Sequence, residues 1–377
     1  MKIKIKLFDV YIFLIALLKG FGLASNNKVY WGAFFIGIYA LAIKMMNEKY
    51  SRRELFSMAV IMAIGCLSFV FGNETAILFS AITICGLKKV DLNRVISISC
   101  WTRIFAYVSV LFVYGTGIVD SESVMFLRNG EYIKRYMFCY GHPNMAHFMF
   151  SIIVVHLLYL YSRKMKGHHY IAIAIANYLV YTLTYSRTGL LTIYISLMIF
   201  YIIKYQKIFV PMAKIMRYSY VLFLAFTIIT ALLYGRHSLI DLLDSLTTGR
   251  IYYNNILLTD YSVSLFGNSA IGDKTIIDNG YLSLLYEGGG LAFLWFSYYI
   301  MKISNVAYKN RRWHDLALIT SCLTYNLMEG FLSSTSINIA LFLIGPCIFK
   351  GKKDVQYAAV DDIYSDIQPS RYTGKSV

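Results

Sequence analysis

Apolar runs, most of about 18 residues or more, recur along nearly the whole 377-residue chain, with short polar gaps between them. A helix of that length crosses ~30 Å of hydrocarbon, and in lipid a backbone must pair with itself, so such runs predict helices. About twelve can be drawn, at roughly 7–24, 29–46, 54–71, 74–87, 95–115, 142–161, 169–186, 188–205, 217–234, 279–301, 313–331 and 334–349. With 58% hydrophobic residues, this pattern predicts an all-α integral membrane protein of about 12 transmembrane helices.

The formal charge of +16, from 36 Lys and Arg against 20 Asp and Glu, would by itself suggest nucleic acid as a partner. The distribution argues otherwise. Cations gather at Lys2, Lys4 and Lys6, at 44–53, 88–94, 163–166, 204–217 and 302–312, and in the C-terminal tail. If every run crosses, these segments share one side, which makes both termini cytoplasmic by the positive-inside rule. No nucleic-acid partner is expected. The six cysteines show neither a disulfide framework nor a zinc spacing.

Two gaps on the opposite side are longer, 116–141 and 235–278. In the second, Leu239, Ile240, Leu242, Leu243 and Leu246 follow helical spacing, which predicts an amphipathic surface helix ending at Gly249. Arg250 starts a second stretch, with Asn254 four residues on. Residues 1–349 read as one membrane domain, and the polar tail 350–377 as a cytoplasmic segment unable to bury a core, hence disordered.

Cations on the side poor in Lys and Arg need a separate reason. Arg187, in Tyr185-Ser186-Arg187-Thr188-Gly189, falls at a tight turn between two runs. It would either snorkel to headgroups or grip a phosphate bidentately without losing its proton. Tyr140-Gly141-His142-Pro143-Asn144 opens a run, with Pro143 in the first turn and His142 and Asn144 at its mouth; helix starts favour anions. Thr248-Gly249-Arg250 and Asp278-Asn279-Gly280-Tyr281 bracket the long gap. Asp278 is either a helix cap or a base for an acceptor hydroxyl. Glu287, ahead of Gly288-Gly289-Gly290, falls inside a run. Arg103, in the fifth run, would cost about 3 kcal/mol unpaired, so Glu287 or Glu329 is its expected counter-ion. Asp120 with Glu122 is the one close acidic pair in these gaps, weak as a cation site. No metalloprotease, P-loop or nucleophile-elbow motif occurs, so no metal or cofactor is expected.

At these motifs the chain resembles the Wzy polymerase and O-antigen ligase superfamily of bacterial surface-polysaccharide assembly. Gly141-His142-Pro143-Asn144, Ser186-Arg187-Thr188-Gly189, Gly249-Arg250 and Asp278-Asn279-Gly280-Tyr281 are similar to its short signatures, and the layout resembles its long outer loop before the tenth span. The resemblance implies a GT-C-like bundle in the bacterial cytoplasmic (inner) membrane. Its function would be to polymerise undecaprenyl-pyrophosphate-linked oligosaccharide repeat units at the outer face, without metal, into O-antigen, capsule or exopolysaccharide. Arg187 and Arg250 would bind the pyrophosphate and Asp278 would act as base, with His142, Asn144, Asn279 and Glu287 holding substrate. A chain-length regulator and a flippase are possible partners besides membrane lipid. Ligases of the family show His-Asn where this chain has Asp278-Asn279, which leans toward a polymerase. A ligase-type transferase and a lipid-linked oligosaccharide flippase or transporter stand as alternatives.

Overall fold

The computed structural model of the chain describes residues 6–23, 27–117, 123–128, 130–272 and 274–349. Its first five helices are α1 (Leu7–Gly20), α2 (Lys28–Met46), α3 (Arg52–Gly72), α4 (Thr75–Cys85) and α5 (Leu92–Gly115). Three of them start on polar caps. Asn27 accepts from the Val29 amide at 2.8 Å, Ser51 and Glu54 form a reciprocal capping box, and Asp91 accepts from the Arg94 amide at 3.2 Å. Helix α1 packs on both α2 and α5. Gly20 permits the second contact: a Cβ there would meet that of Ala106 at 2.7 Å.

The described residues of the gap 116–141 form no helix. It holds an antiparallel hairpin, β1 (Ser123–Arg128) and β2 (Glu131–Tyr136), in register from Ser123–Tyr136 to Arg128–Glu131. The all-α expectation is corrected accordingly. Its sequence signal is Asn129-Gly130 between two alternating runs, with Gly130 supplying a φ of +83°.

Next come α6 (Pro143–Tyr161), α7 (Gly167–Thr184), α8 (Arg187–Ile202), α9 (Gln206–Met216) and α10 (Ser219–Leu233). The gap 235–278 contributes α11 (Ser238–Thr247) and α12 (Arg250–Asp260). Last are α13 (Gly280–Tyr286), α14 (Gly290–Lys309), α15 (Trp313–Tyr325), a 3-10 turn Ile339–Leu343 and α16 (Ile344–Phe349).

Among the described residues four helices, α2, α3, α5 and α6, are long and apolar enough to cross a membrane. They become five if α9 and α10, bent by 58° at their junction, form one span. The expectation of about twelve transmembrane helices in a GT-C-like bundle is therefore corrected. The run 279–301 splits into the seven-residue α13 and α14 around Gly288 and Gly289. The run 313–331 is helical only to Tyr325, and 334–349 turns irregularly before a six-residue α16. Helix α15 is apolar because protein surrounds it: residues from His314 through Tyr325 are all buried.

The argument for a multi-pass inner-membrane protein with both termini cytoplasmic is corrected with it, because alternation of sides required every run to cross. The tail 350–377, Lys2 and Lys4, and Asp120 and Glu122 lie outside the described residues.

Hydrogen-bonded polar groups thread the interior. His147 bonds Asn177 at 2.8 Å, His156 bonds Ser99 at 3.1 Å, and the Tyr159 hydroxyl donates to Asp315 at 2.9 Å. Arg103 does not meet the carboxylate expected for it. Its Nε donates to Ser99 Oγ at 3.3 Å and its Nη2 to the Ser336 carbonyl. Glu329 pairs with Arg250, and Glu287 accepts from Ser283.

Candidate anion-binding site

One cavity of about 370 Å³ opens where the hairpin, the start of α6, the α7–α8 turn and the α11–α12 turn meet. Arg135, His142, Asn144, Arg187, Arg250 and Asp278 all line it. Arg135 comes from β2, and its position on the hairpin is what the apolar periodicity could not reveal.

Each residue of Ser186-Arg187-Thr188-Gly189 has a local physical task. Ser186 caps α8, its hydroxyl accepting from the Gly189 amide at 3.5 Å. Gly189 lies against the His147 ring so closely that a Cβ would meet it at 2.5 Å. The ring cannot yield freely, since Asn177 and Thr184 hold both its nitrogens at 2.8 and 3.1 Å. Thr188 accepts from Arg250 Nη1 at 2.6 Å. Arg187 is left at the cavity wall with one long hydrogen bond, from Nη1 to the Leu246 carbonyl at 3.4 Å.

Arg250 is held far more tightly. Besides Thr188, its Nε donates to Asp278 Oδ2 and its Nη2 to Glu329 Oε1, each at 3.1 Å. Its side chain is only 12% exposed. The turn that delivers it needs two successive left-handed residues, Thr248 at φ +64° and Gly249 at φ +82°. Asp244 braces the turn, its carboxylate accepting from the Tyr252 amide at 2.9 Å.

Arg135 bridges two elements. Its Nε donates to the Thr184 carbonyl at 2.8 Å and its Nη2 to Asn144 Oδ1 at 2.7 Å. His142 caps α6 through Nδ1, which accepts from the Asn144 amide at 3.2 Å. In the neutral ring this leaves the proton on Nε2. Burial and the Arg135 charge hold His142 below the ordinary imidazole value, against a smaller opposing effect of Asp278. Burial pushes Glu329 up to about 7, outweighing the attraction of Arg250.

Asn279 and Glu287 are not brought to this cavity. Asn279 caps α13, its Oδ1 accepting from the Tyr281 and Leu282 amides at 3.0 and 3.2 Å. Its Nδ2 donates to Thr227 Oγ1 and the Leu327 carbonyl, so both ends of the amide are engaged. Glu287 sits at the α13–α14 break, where burial raises its carboxyl and Ser283 donates to it at 2.6 Å. Arg135 and Glu329 are site residues outside the motifs, and Thr188 is a motif residue whose hydroxyl holds Arg250.

Three guanidinium groups and a neutral imidazole thus face one cavity with a single lining carboxylate, Asp278. Such a set favours a phosphate or diphosphate. Leu191, Ile195, Leu246, Leu327 and Met328 form its apolar walls. Among the described residues no three His, Cys, Asp or Glu side chains gather as a metal-binding group.

No protein-family model, curated protein or solved structure matches the chain. The resemblance to the Wzy polymerase and O-antigen ligase superfamily is corrected. It rested on a layout of about twelve spans, whereas the described residues supply four or five helices of membrane length. Polymerisation of undecaprenyl-linked repeat units at the outer face of a cytoplasmic membrane required that layout and is withdrawn with it, as are its ligase and flippase variants.

Proposed function

We propose that the chain is a glycosyltransferase whose donor carries its sugar on a lipid pyrophosphate. The observation that carries this reading is the convergence of Arg135, Arg187 and Arg250 on one cavity with apolar walls. The guanidinium groups would take the two phosphates, and the apolar walls the first part of the lipid. In the reaction the bond from the anomeric carbon to the pyrophosphate oxygen breaks, and its electron pair stays on that oxygen. An acceptor hydroxyl forms the new bond to carbon and loses its proton to Asp278. Guanidinium groups fixed beside the leaving oxygen stabilise charge that grows only as the bond breaks. The Asp278 side chain is 42% exposed, with Oδ2 on Arg250, and therefore within reach of an incoming acceptor.

The test is binding of a short polyprenyl pyrophosphate to the purified full chain in a non-ionic detergent. Arg187→Ala is expected to weaken it by about tenfold or more, with no change in thermal midpoint. Wild-type affinity in that variant would overturn the reading.

A further inference from the structure

A second cavity, of about 70 Å³, lies among α1, α2, the start of α4 and the 334–336 loop. One cation lines it and a second stands behind its wall, and neither forms a salt bridge among the described residues. Lys19, in the last turn of α1, lines it and forms no salt bridge among the described residues; its ammonium lies 5.4 Å from the centre of the Tyr30 ring. Arg103 is close enough for its charge to act on Lys19. A Cβ on the neighbouring Gly20 would lie 3.5 Å from Arg103 Cα. Arg103 is 2% exposed, and its Nη1 has no hydrogen-bond partner. It stands behind the wall of the cavity, since its Nη2 donates to the carbonyl of Ser336, a lining residue.

Two poorly hydrated like charges repel, so an anion held beside Lys19 would offset that repulsion. The start of α4 adds to this. Thr75 and Ala76 line the cavity at the positive end of the helix, and the N-cap residue Glu74 makes no side-chain cap. Glu74 forms no salt bridge with Lys19 or Arg103, and burial and then the nearby Glu287 push its carboxyl up to about 7. Hydroxyls of Ser334 and Ser336 complete the lining.

We propose that this cavity is a second anion site, holding one phosphate group between Lys19, the α4 N-terminus and the 334–336 hydroxyls. Its size admits a phosphate group. The proposal rests on no residue of the arginine cavity, which enters the test only as a reference phosphate site. The phosphate could be free or belong to a lipid headgroup.

Calorimetric titration of the full chain with inorganic phosphate, in a detergent without phosphate, is expected to show two sites. Lys19→Gln should weaken one by about tenfold and leave the Arg187-sensitive one intact, while Lys19→Arg keeps both. Ala76→Asp places a carboxylate at a helix start, where the fold tolerates it, and should weaken the same site. A Lys19-dependent response to phosphatidic acid vesicles, absent with inorganic phosphate, would identify the ligand as a headgroup. The proposal is overturned if Lys19→Gln and Ala76→Asp bind both probes as the wild type does, or if no Lys19-dependent site exists for either.

Discussion

Arg250 Nη2 donates to Glu329 Oε1 at 3.1 Å, yet burial lifts that carboxyl from an ordinary value of 4.5 to about 7. Desolvation therefore exceeds the attraction of the guanidinium. A carboxyl with a raised folded value keeps its proton where the unfolded chain has lost it. From about pH 4.5 to about pH 7 the folded state binds more protons, so stability falls as pH rises through that window. Thermal midpoints of Glu329→Gln, set against wild type across it, should show a shallower decline. Equal slopes would mean that Glu329 titrates normally.

Protonation of Glu329 also removes a competitor for Arg250. Pyrophosphate should bind the wild type more tightly at pH 6 than at pH 8, after correction for the ligand's own titration, and bind Glu329→Gln almost equally at both. Titration calorimetry at the two pH values checks this.

The two motif arginines should differ sharply in what they do for the fold. Arg187 makes one hydrogen bond at 3.4 Å, whereas Arg250 donates to Thr188, Asp278 and Glu329. Removing Arg250 deprives the mostly buried Glu329 and Thr188 of their donor, while the 42%-exposed Asp278 regains water, a loss of about 1–2 kcal/mol. Denaturant unfolding of Arg250→Ala should show this loss, while Arg187→Ala stays within about 0.5 kcal/mol of wild type.

Gly189→Ala tests the contact between α6 and α8. The new methyl would meet the His147 ring at 2.5 Å, and that ring is pinned by Asn177 and Thr184. Overpacking of this kind costs about 1–3 kcal/mol. The unfolding midpoint should fall accordingly, with partial recovery when His147→Ala is combined with it.

Asn279→Ala should lower stability by about 1–2 kcal/mol, because it removes the α13 cap and its ties to Thr227 and Leu327. Pyrophosphate affinity should be unchanged, since this side chain does not line the cavity.

Much of the site's composition was legible in the sequence, and little of its assembly. Cations at tight turns on the side poor in Lys and Arg point to Arg187 and Arg250, and a helix-start pattern points to His142 and Asn144. All four line the cavity with Asp278. Arg135 was not legible, because it reaches the site by hairpin pairing between β1 and β2, a relation that apolar periodicity does not encode. Neither Glu287 nor Glu329, the carboxylates expected for Arg103, meets it, and Glu329 pairs with Arg250, since sequence spacing says nothing about which element packs beside which. The count of spans failed for a physical reason visible in α15. A helix wrapped by protein and a helix wrapped by lipid need the same apolar surface, and only packing separates them. The reversal at Gly288 and Gly289 likewise cut one apolar run into two elements.

That reversal governs the chain ahead of it. A side chain at Gly72 or Gly267 would come within 2.2 or 2.0 Å of the Glu287 carbonyl oxygen, and one at Gly289 within 2.3 Å of the Gly267 amide nitrogen. The Gly290 and Leu291 amides donate to Ser264 and Leu265, and the Asn268 amide to Tyr286. Three strands of main chain are thus knotted about ten residues before Asp278. Extra residues inserted at 261–263 would bulge outward and leave the carboxylate in place, whereas the same insertion at 274–277 would carry it off Arg250.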